Sequence, residues 1–309
     1  MLPRTAAYHV LSVSGREEND LKRKLISLLL ALCVLCSLAV PAFAAGGSRV
    51  VLGADLNEEQ ILTVYKLFGI ERGSVEELKV TNAEERKYLE GLVEESVIGK
   101  YAISCVYVQL LEEGSGLSIE TYNVSWCTPE MYQNALLTAG VTDAKIIVAA
   151  PFEVSGTAAL TGIYKAYEQI TGNTLDETAK SVGTQELTIT GELAEQIGRL
   201  DATKIVSGLK ELLGDAASMS DEELKKEIVS LAGKLNVTLS DSQIRQLIDL
   251  CRSLEGLDAD SLRQRVEDAQ ETIRRIGEAK DKAVSFYEKF RRFLSSAADF
   301  LEKLKKLFD

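Results

Sequence analysis

Hydrophobic and polar positions alternate along this chain with two different periods, and the changes of period mark out its elements. "RVVLGADL" (49–56) reads as a short strand. "NEEQILTVYKLFGI" (57–70) places apolar residues at 61, 62, 65, 67 and 68, the spacing of an amphipathic helix. "VEELKVT" (75–81) predicts a second strand. "NAEERKYLEGL" (82–92) predicts a helix capped by Asn82, with Glu85 three residues on in a capping-box pattern. "IGKYAISCVYVQLL" (98–111) and "LSIETYNVSWC" (117–127) alternate with period two and are rich in β-branched and aromatic residues. They predict a hairpin turning at "EEGSG" (112–116). "TPEMYQNALLTAG" (128–140) reads as a helix with Thr128 as cap, Pro129 as first residue and Gly140 as stop. "AKIIVAAPF" (144–152) is a continuous apolar run, the mark of a central buried strand. "SGTAALTGIYKAYEQITG" (155–172) is the next helix, and "GTQELTITGELAEQIG" (183–198) leans helical. Strands alternating with helices predict an α/β or α+β domain with a mixed sheet over residues 48–200.

Beyond residue 200 the strand signal stops, and residues 201–309 read as an all-α subdomain. "SDEELKKEIVSLAGKLN" (220–236) and "SDSQIRQLIDLCRSL" (240–254) each begin with a Ser cap and form a helical hairpin. From Leu257 the apolar positions 262, 266, 269, 273 and 276, and then 283, 286, 290 and 293, step by three and four within each run. They predict a long amphipathic helix, broken near Gly277. It packs on its own subdomain or, at a spacing near 3.5, offers a seam to a partner. The last 22 residues hold six Lys/Arg against four Asp/Glu, with Phe290, Phe293, Phe300 and Phe308 among them. Residues 286–308 thus offer peripheral contact with an anionic membrane, or dock on a neighbouring element.

The amino-terminal end has a different character. Lys22-Arg23-Lys24 precedes an apolar run from Leu25 to Val40, followed by Pro41-Ala42-Phe43-Ala44. This is the layout of a Sec-type signal peptide, with cleavage expected near Ala44. A retained anchor is the rival, but the run is short for a span. Residues 1–20 are polar and sit oddly before such a segment, so a mis-assigned start is expected there. Residues 1–44 are therefore set apart from the fold.

Removing that segment changes the chemistry on offer. The full chain has a net charge of -12, and the segment carries +2, which leaves -14. So acidic a chain argues against nucleic-acid partners. The segment also takes with it His9, the single histidine. Without histidine neither Ser-His-Asp nor Cys-His catalysis is open, nor the usual zinc sites. No cofactor is expected. Three cysteines remain, Cys105, Cys127 and Cys251. With a hairpin centred on Gly114, Cys105 would face residue 123, leaving Cys127 roughly 13 Å away at strand rise. All three are expected as free, mostly buried thiols.

Several stretches together are familiar: "NALLTAGVTDAKIIVAAPFEVSGTAALTGIYKAYE" (134–168), with "LGADL" (52–56), "LFGI" (67–70), "TNAEERKYLEGL" (81–92) and "EEGSGLSIETYNVSW" (112–126). They resemble the YpuA-like family, secreted proteins of Gram-positive bacteria known as a domain of unknown function. The resemblance implies secretion, an α/β-type core and a helical tail. It supplies no catalytic residues.

The junction "PFEVSGTAALTGIYKAY" (151–167) is where candidate chemistry gathers. Gly156 and Gly162 lack the spacing and the lysine of a phosphate loop, and Ser155 lacks the flanking glycines of a nucleophile elbow. Ser155 or Thr157 is expected to cap the helix, with free backbone N–H groups able to hold an anion. Glu153, Ser155, Gly156 and Thr157 are the candidate ligand-binding residues, since strand ends are where open sheets bind ligands. A Ser-Lys dyad with Lys145 or Lys165 is excluded by distance along strand and helix. Carboxylate pairs offer histidine-free hydrolysis, but no spacing selects two among Glu153, Asp143, Glu120 and Asp55. No calcium-loop pattern is present. The sequence therefore points to a secreted, non-enzymatic extracellular or envelope-associated binding or structural module. Its partner would be an envelope component, or a protein met by the C-terminal helices. The alternative is a carboxylate-dependent hydrolase acting on wall or exopolymer material.

Overall fold

The computed structural model describes residues 47–258 and 260–272. The expected signal peptide, His9, Cys33, Cys36, the region of Gly277 and the basic tail at 286–308 lie outside them. Five strands form one mixed sheet: β1 (Ser48–Gly53), β2 (Glu76–Val80), β3 (Cys105–Leu110), β4 (Leu117–Val124) and β5 (Ala144–Val154), in the order β2-β1-β3-β5-β4. Between β1 and β2 runs α1 (Glu58–Phe68), and between β4 and β5 runs α4 (Pro129–Ala139). Both strand pairs are parallel, so the sheet consists of two β-α-β crossovers joined by β3, which is antiparallel to β1 and to β5.

The hairpin expected between β3 and β4 does not form. β5 inserts between them, antiparallel to β3 and parallel to β4. The physical reason is burial. The run Ala144–Ala150 is apolar at nearly every position, so it needs neighbours on both edges and cover on both faces. The turn at 112–116 exists, with the Ser115 N–H donating to Glu112 O. Its exit is pinned to the start of β5 instead: the Gly116 N–H donates to Asp143 Oδ1, and the Ala144 N–H to Gly116 O.

Period-two alternation sorts the strand residues onto two faces. Val50, Leu52, Cys105, Tyr107, Ile147 and Ala149 meet α1 through Ile61, Val64, Tyr65 and Phe68. Val51, Val106, Val108, Ile146 and Val148 meet α4 and α5 (Thr157–Thr171). All three predicted thiols are buried and unpaired. The reason is not the one the hairpin supplied: Cys105 belongs to the α1 face and Cys127 to the α4–α5 face.

Two short helices, α2 (Asn82–Leu89) and α3 (Glu95–Ile98), lie between β2 and β3. The cap of α2 is Thr81, one residue earlier than expected. Its side chain accepts from the Glu84 N–H, and Glu84 closes the capping box. Glu85 is left free of the cap and lies on the buried face with Leu89.

A helical layer follows: α6 (Glu177–Ile197), α7 (Arg199–Ala216), α8 (Asp221–Lys234), α9 (Asp241–Glu255) and a helical stretch at 260–272. The weakly patterned 183–198 segment is helical, and Ser220 and Ser240 both cap their helices as expected, each within a capping box. α6 serves two cores. Leu187 faces the sheet side, while Val182, Ile189 and Leu193 join α7, α8 and α9. Where α4, α6 and α7 meet, Lys210 and Glu186 are 2.8 Å apart and 1% and 0% exposed. Thr138 Oγ1 donates to Glu186 Oε2 (2.5 Å), and Lys210 Nζ donates to Asn134 O (2.7 Å). Burial pulls the Lys210 ammonium below its ordinary value, and the Glu186 charge opposes that.

Candidate functional site

β5 ends at Val154 and α5 begins at Thr157, so two residues make the turn. Its edge is held by backbone bonds: the Ser125 N–H donates to Val154 O, and the Cys127 N–H to Ser155 O. Gly156 is the N-cap residue, at φ 97. A Cβ there would lie 2.5 Å from Val124 Cγ1 and 2.6 Å from the Tyr132 hydroxyl, so glycine is required by conformation and by space. Tyr132 Oη donates to Gly156 O at 2.6 Å, which fixes the turn against α4.

The expectation that Ser155 or Thr157 caps α5 is overturned, because the helix has no side-chain cap. The hydroxyls point elsewhere. Thr157 Oγ1 donates to Glu85 Oε1 at 2.6 Å, and Ser155 Oγ lies 3.2 Å from Thr157 Oγ1. A threonine hydroxyl has one proton, so Ser155 is the donor in that second contact. A short relay results, Ser155 to Thr157 to Glu85. Asn82 Nδ2 donates to Glu85 Oε2 at 3.2 Å.

Glu85 is 1% exposed. Burial pushes its carboxyl up to about 7, against the opposing effect of these two hydrogen bonds. No basic side chain of the described residues pairs with it. The adjacent Arg86 is committed to both Glu95 oxygens (2.9 and 2.7 Å), to Gly99 O (3.0 Å) and to Asn82 Oδ1 (3.0 Å). Cys127 and Tyr132 feel the Glu85 charge from the far side. Burial holds the thiol at about 12 and the phenol well above its ordinary value, so both are neutral.

Glu85 opens onto a cleft of about 280 Å³ between the β5–α5 turn and the segment 96–104. Ser104, Ser155, Gly156 and Thr157 contribute its polar wall. Tyr101 and Phe152 also line it, and they are 67% and 49% exposed. Glu85 is the single carboxylate among its lining residues.

The residues singled out from sequence thus divide. Ser155, Gly156 and Thr157 lie together on the cleft, while Glu153 is exposed and outside its lining. The other carboxylates considered have separate tasks. Asp55 accepts from the Ala102 N–H, Asp143 from the Gly116 N–H, and Glu120 from the Tyr122 hydroxyl. Lys165 is bound to Lys79 O and Glu84, not to Ser155. Sequence reasoning missed Glu85, Tyr101 and Phe152. Its one available signal was that Glu85 stands four residues before Leu89 and shares its face.

Geometry therefore defines an α/β protein of mixed sheet, backed by a helical layer, with a polar cleft at a strand-to-helix turn. The chain belongs to the family described as "Protein of unknown function (DUF1002)", which it matches over residues 52–271. It is 39% identical over 260 residues to "Uncharacterized protein YpuA" of Bacillus subtilis (strain 168), covering 83% of this chain and 87% of the relative. No solved structure matches it.

Proposed function

We propose that this protein is a secreted, non-enzymatic binding module of the cell exterior or envelope, with its ligand entering the cleft at the β5–α5 turn. One observation carries the reading: a buried carboxylate without a cation partner lines a cleft rimmed by two exposed aromatic rings. Isolated buried charge is costly, and exposed aromatic surface beside a concave polar wall is the usual makeup of a recognition site. The anion expected at the start of α5 fits less well, because Glu85 already supplies negative charge there. Carboxylate-pair hydrolysis is not favoured either. It needs two carboxyl groups about 5–10 Å apart across the bond to be cut, and the lining holds one. Export rests on the basic cluster, apolar run and Ala-Phe-Ala exit at the amino terminus.

A thermal-shift screen of the full chain against wall-derived sugars, short peptides and small amines tests the cleft. A ligand at 100 times its Kd adds about 2.7 kcal/mol. A saturable rise that disappears when Tyr101→Ala and Phe152→Ala are combined supports the site. A rise that survives the double substitution, or none at all, removes it. Export is tested by fractionating a Gram-positive host. A new amino terminus near Ala45 outside the cell supports it, and full-length protein confined to the cytoplasm overturns it.

A further inference from the structure

We propose that the cleft takes the ammonium group of a small organic amine, with Glu85 as its counter-charge and Tyr101 and Phe152 as its aromatic walls. The inference rests on the reading of the cleft as a ligand site and adds the class of ligand.

The argument is one of compensation. Each Glu85 oxygen accepts one hydrogen bond, from Thr157 and from Asn82. A carboxylate has room for about four, so lone pairs remain. Both present donors are neutral, and Arg86, which draws the Glu85 value down from a distance, spends its own hydrogen bonds on Glu95, Gly99 and Asn82, so no cation contacts the carboxylate. A neutral sugar offers only more neutral donors, and an anion is repelled. A hard metal cation needs about six to eight oxygen ligands. Among the described residues no three His, Cys, Asp or Glu side chains gather as a metal site. An ammonium group needs only one carboxylate, and the faces of aromatic rings attract it as well. Lys100, also on the lining, is exposed and makes no ion pair with Glu85.

Three probes of matched shape and different charge test this on the full chain by calorimetric titration at about pH 8, where Glu85 and a primary amine are both charged. They are benzylamine, benzyl alcohol and benzoate. Benzylamine is expected to bind at least about tenfold tighter than benzyl alcohol, the worth of one charge-assisted bond. Benzoate is expected not to bind. Glu85→Gln, which keeps the shape and an oxygen for the Thr157 hydroxyl but gives up the charge and the Asn82 bond, should erase the preference for the amine while leaving the alcohol unchanged. Tyr101→Ala with Phe152→Ala, both at exposed positions, should weaken amine and alcohol alike. Equal binding of amine and alcohol overturns the assignment, as do amine binding that Glu85→Gln leaves intact and the absence of benzylamine binding. In each of those cases the cleft itself still stands if a sugar or peptide binds with dependence on the two aromatic residues, and it falls with the assignment if nothing does.

Discussion

Glu186 and Glu85 are both withdrawn from water, yet the molecule treats them differently. Glu186 has a full counter-charge, Lys210 at 2.8 Å, and a threonine hydroxyl besides. It sits among α4, α6 and α7, away from any lining of the Glu85 cleft. Glu85 has a threonine hydroxyl and an amide, no cation, and a cleft beside it. The first arrangement is closed: every charge is answered inside the protein. The second is left open, and the opening is where a ligand or a proton enters. Two buried glutamates in one chain thus separate a structural pin from a candidate site by what is missing around the second.

Removing one partner of the closed pair is expected to give the largest effect. Glu186→Gln leaves the Lys210 ammonium buried without its counter-charge and should cost about 3–5 kcal/mol in urea unfolding. Lys210→Met should cost a similar amount. Combining Lys210→Met with Glu186→Leu should recover most of the loss, because an apolar pair of similar volume needs no compensation. A double variant as unstable as either single one would show that the pair does more than cancel its own charges.

At Glu85 the same chemical change should act with the opposite sign. Its folded value, about 7, lies above the ordinary 4.5. The carboxyl therefore supports the fold fully below about pH 4.5, and that contribution is lost as pH rises through about 7. The gap corresponds to about 3 kcal/mol. Arg86 on its own helix, and the neutral Cys127 and Tyr132 opposite, do not titrate across this window. Measured against its effect near pH 4.5, which includes the lost Asn82 bond, Glu85→Gln should thus gain up to about 3 kcal/mol of stability at pH 8. Denaturant midpoints of both proteins at several pH values give the comparison. Parallel curves would mean that Glu85 titrates normally, and that the contrast with Glu186 is smaller than its burial implies.

Thr157→Val sharpens the contrast on a smaller scale. It removes the shorter of the two hydrogen bonds to Glu85 and keeps the shape of the side chain. With the carboxylate charged, the loss should be about 2 kcal/mol at pH 8, falling to about 1 kcal/mol at pH 5 where the bond is neutral. The titration of Glu85 should also move higher. An effect independent of pH would mean that Thr157 acts through packing alone.

How much of this was legible beforehand follows from how local each signal is. Helix α4 could be read because Thr128, Pro129 and Gly140 act within their own turns. The strands could be read because alternation is a local pattern. Their pairing could not, because it depends on which run most needs two neighbours, and the β5 run outbid the adjacency of β3 and β4. The cap of α2 slipped by one because Thr81 and Asn82 both fit the box, and only the Thr81–Glu84 match is made. Glu85 stayed hidden for a longer-range reason. It looks like one more acidic residue in a chain of net charge -12, and its hydroxyl partner comes 72 residues later. Lys210 and Glu186 were hidden likewise, each passing for a solvated helical charge until α4, α6 and α7 meet.

Ser155 gives the smallest and most discriminating prediction. As a helix cap its loss to alanine would cost about 1 kcal/mol. In the structure its hydroxyl caps nothing and donates to Thr157 Oγ1 at a long 3.2 Å. The residue's fixed part is its backbone, whose carbonyl takes the Cys127 N–H, and alanine keeps that bond. Ser155→Ala should therefore shift stability by no more than about 0.5 kcal/mol, the range of a substitution that touches no special feature. A loss near the capping value would restore a role for Ser155 in holding the start of α5. It would also mean that the relay into Glu85 is set at its outer end rather than at Thr157.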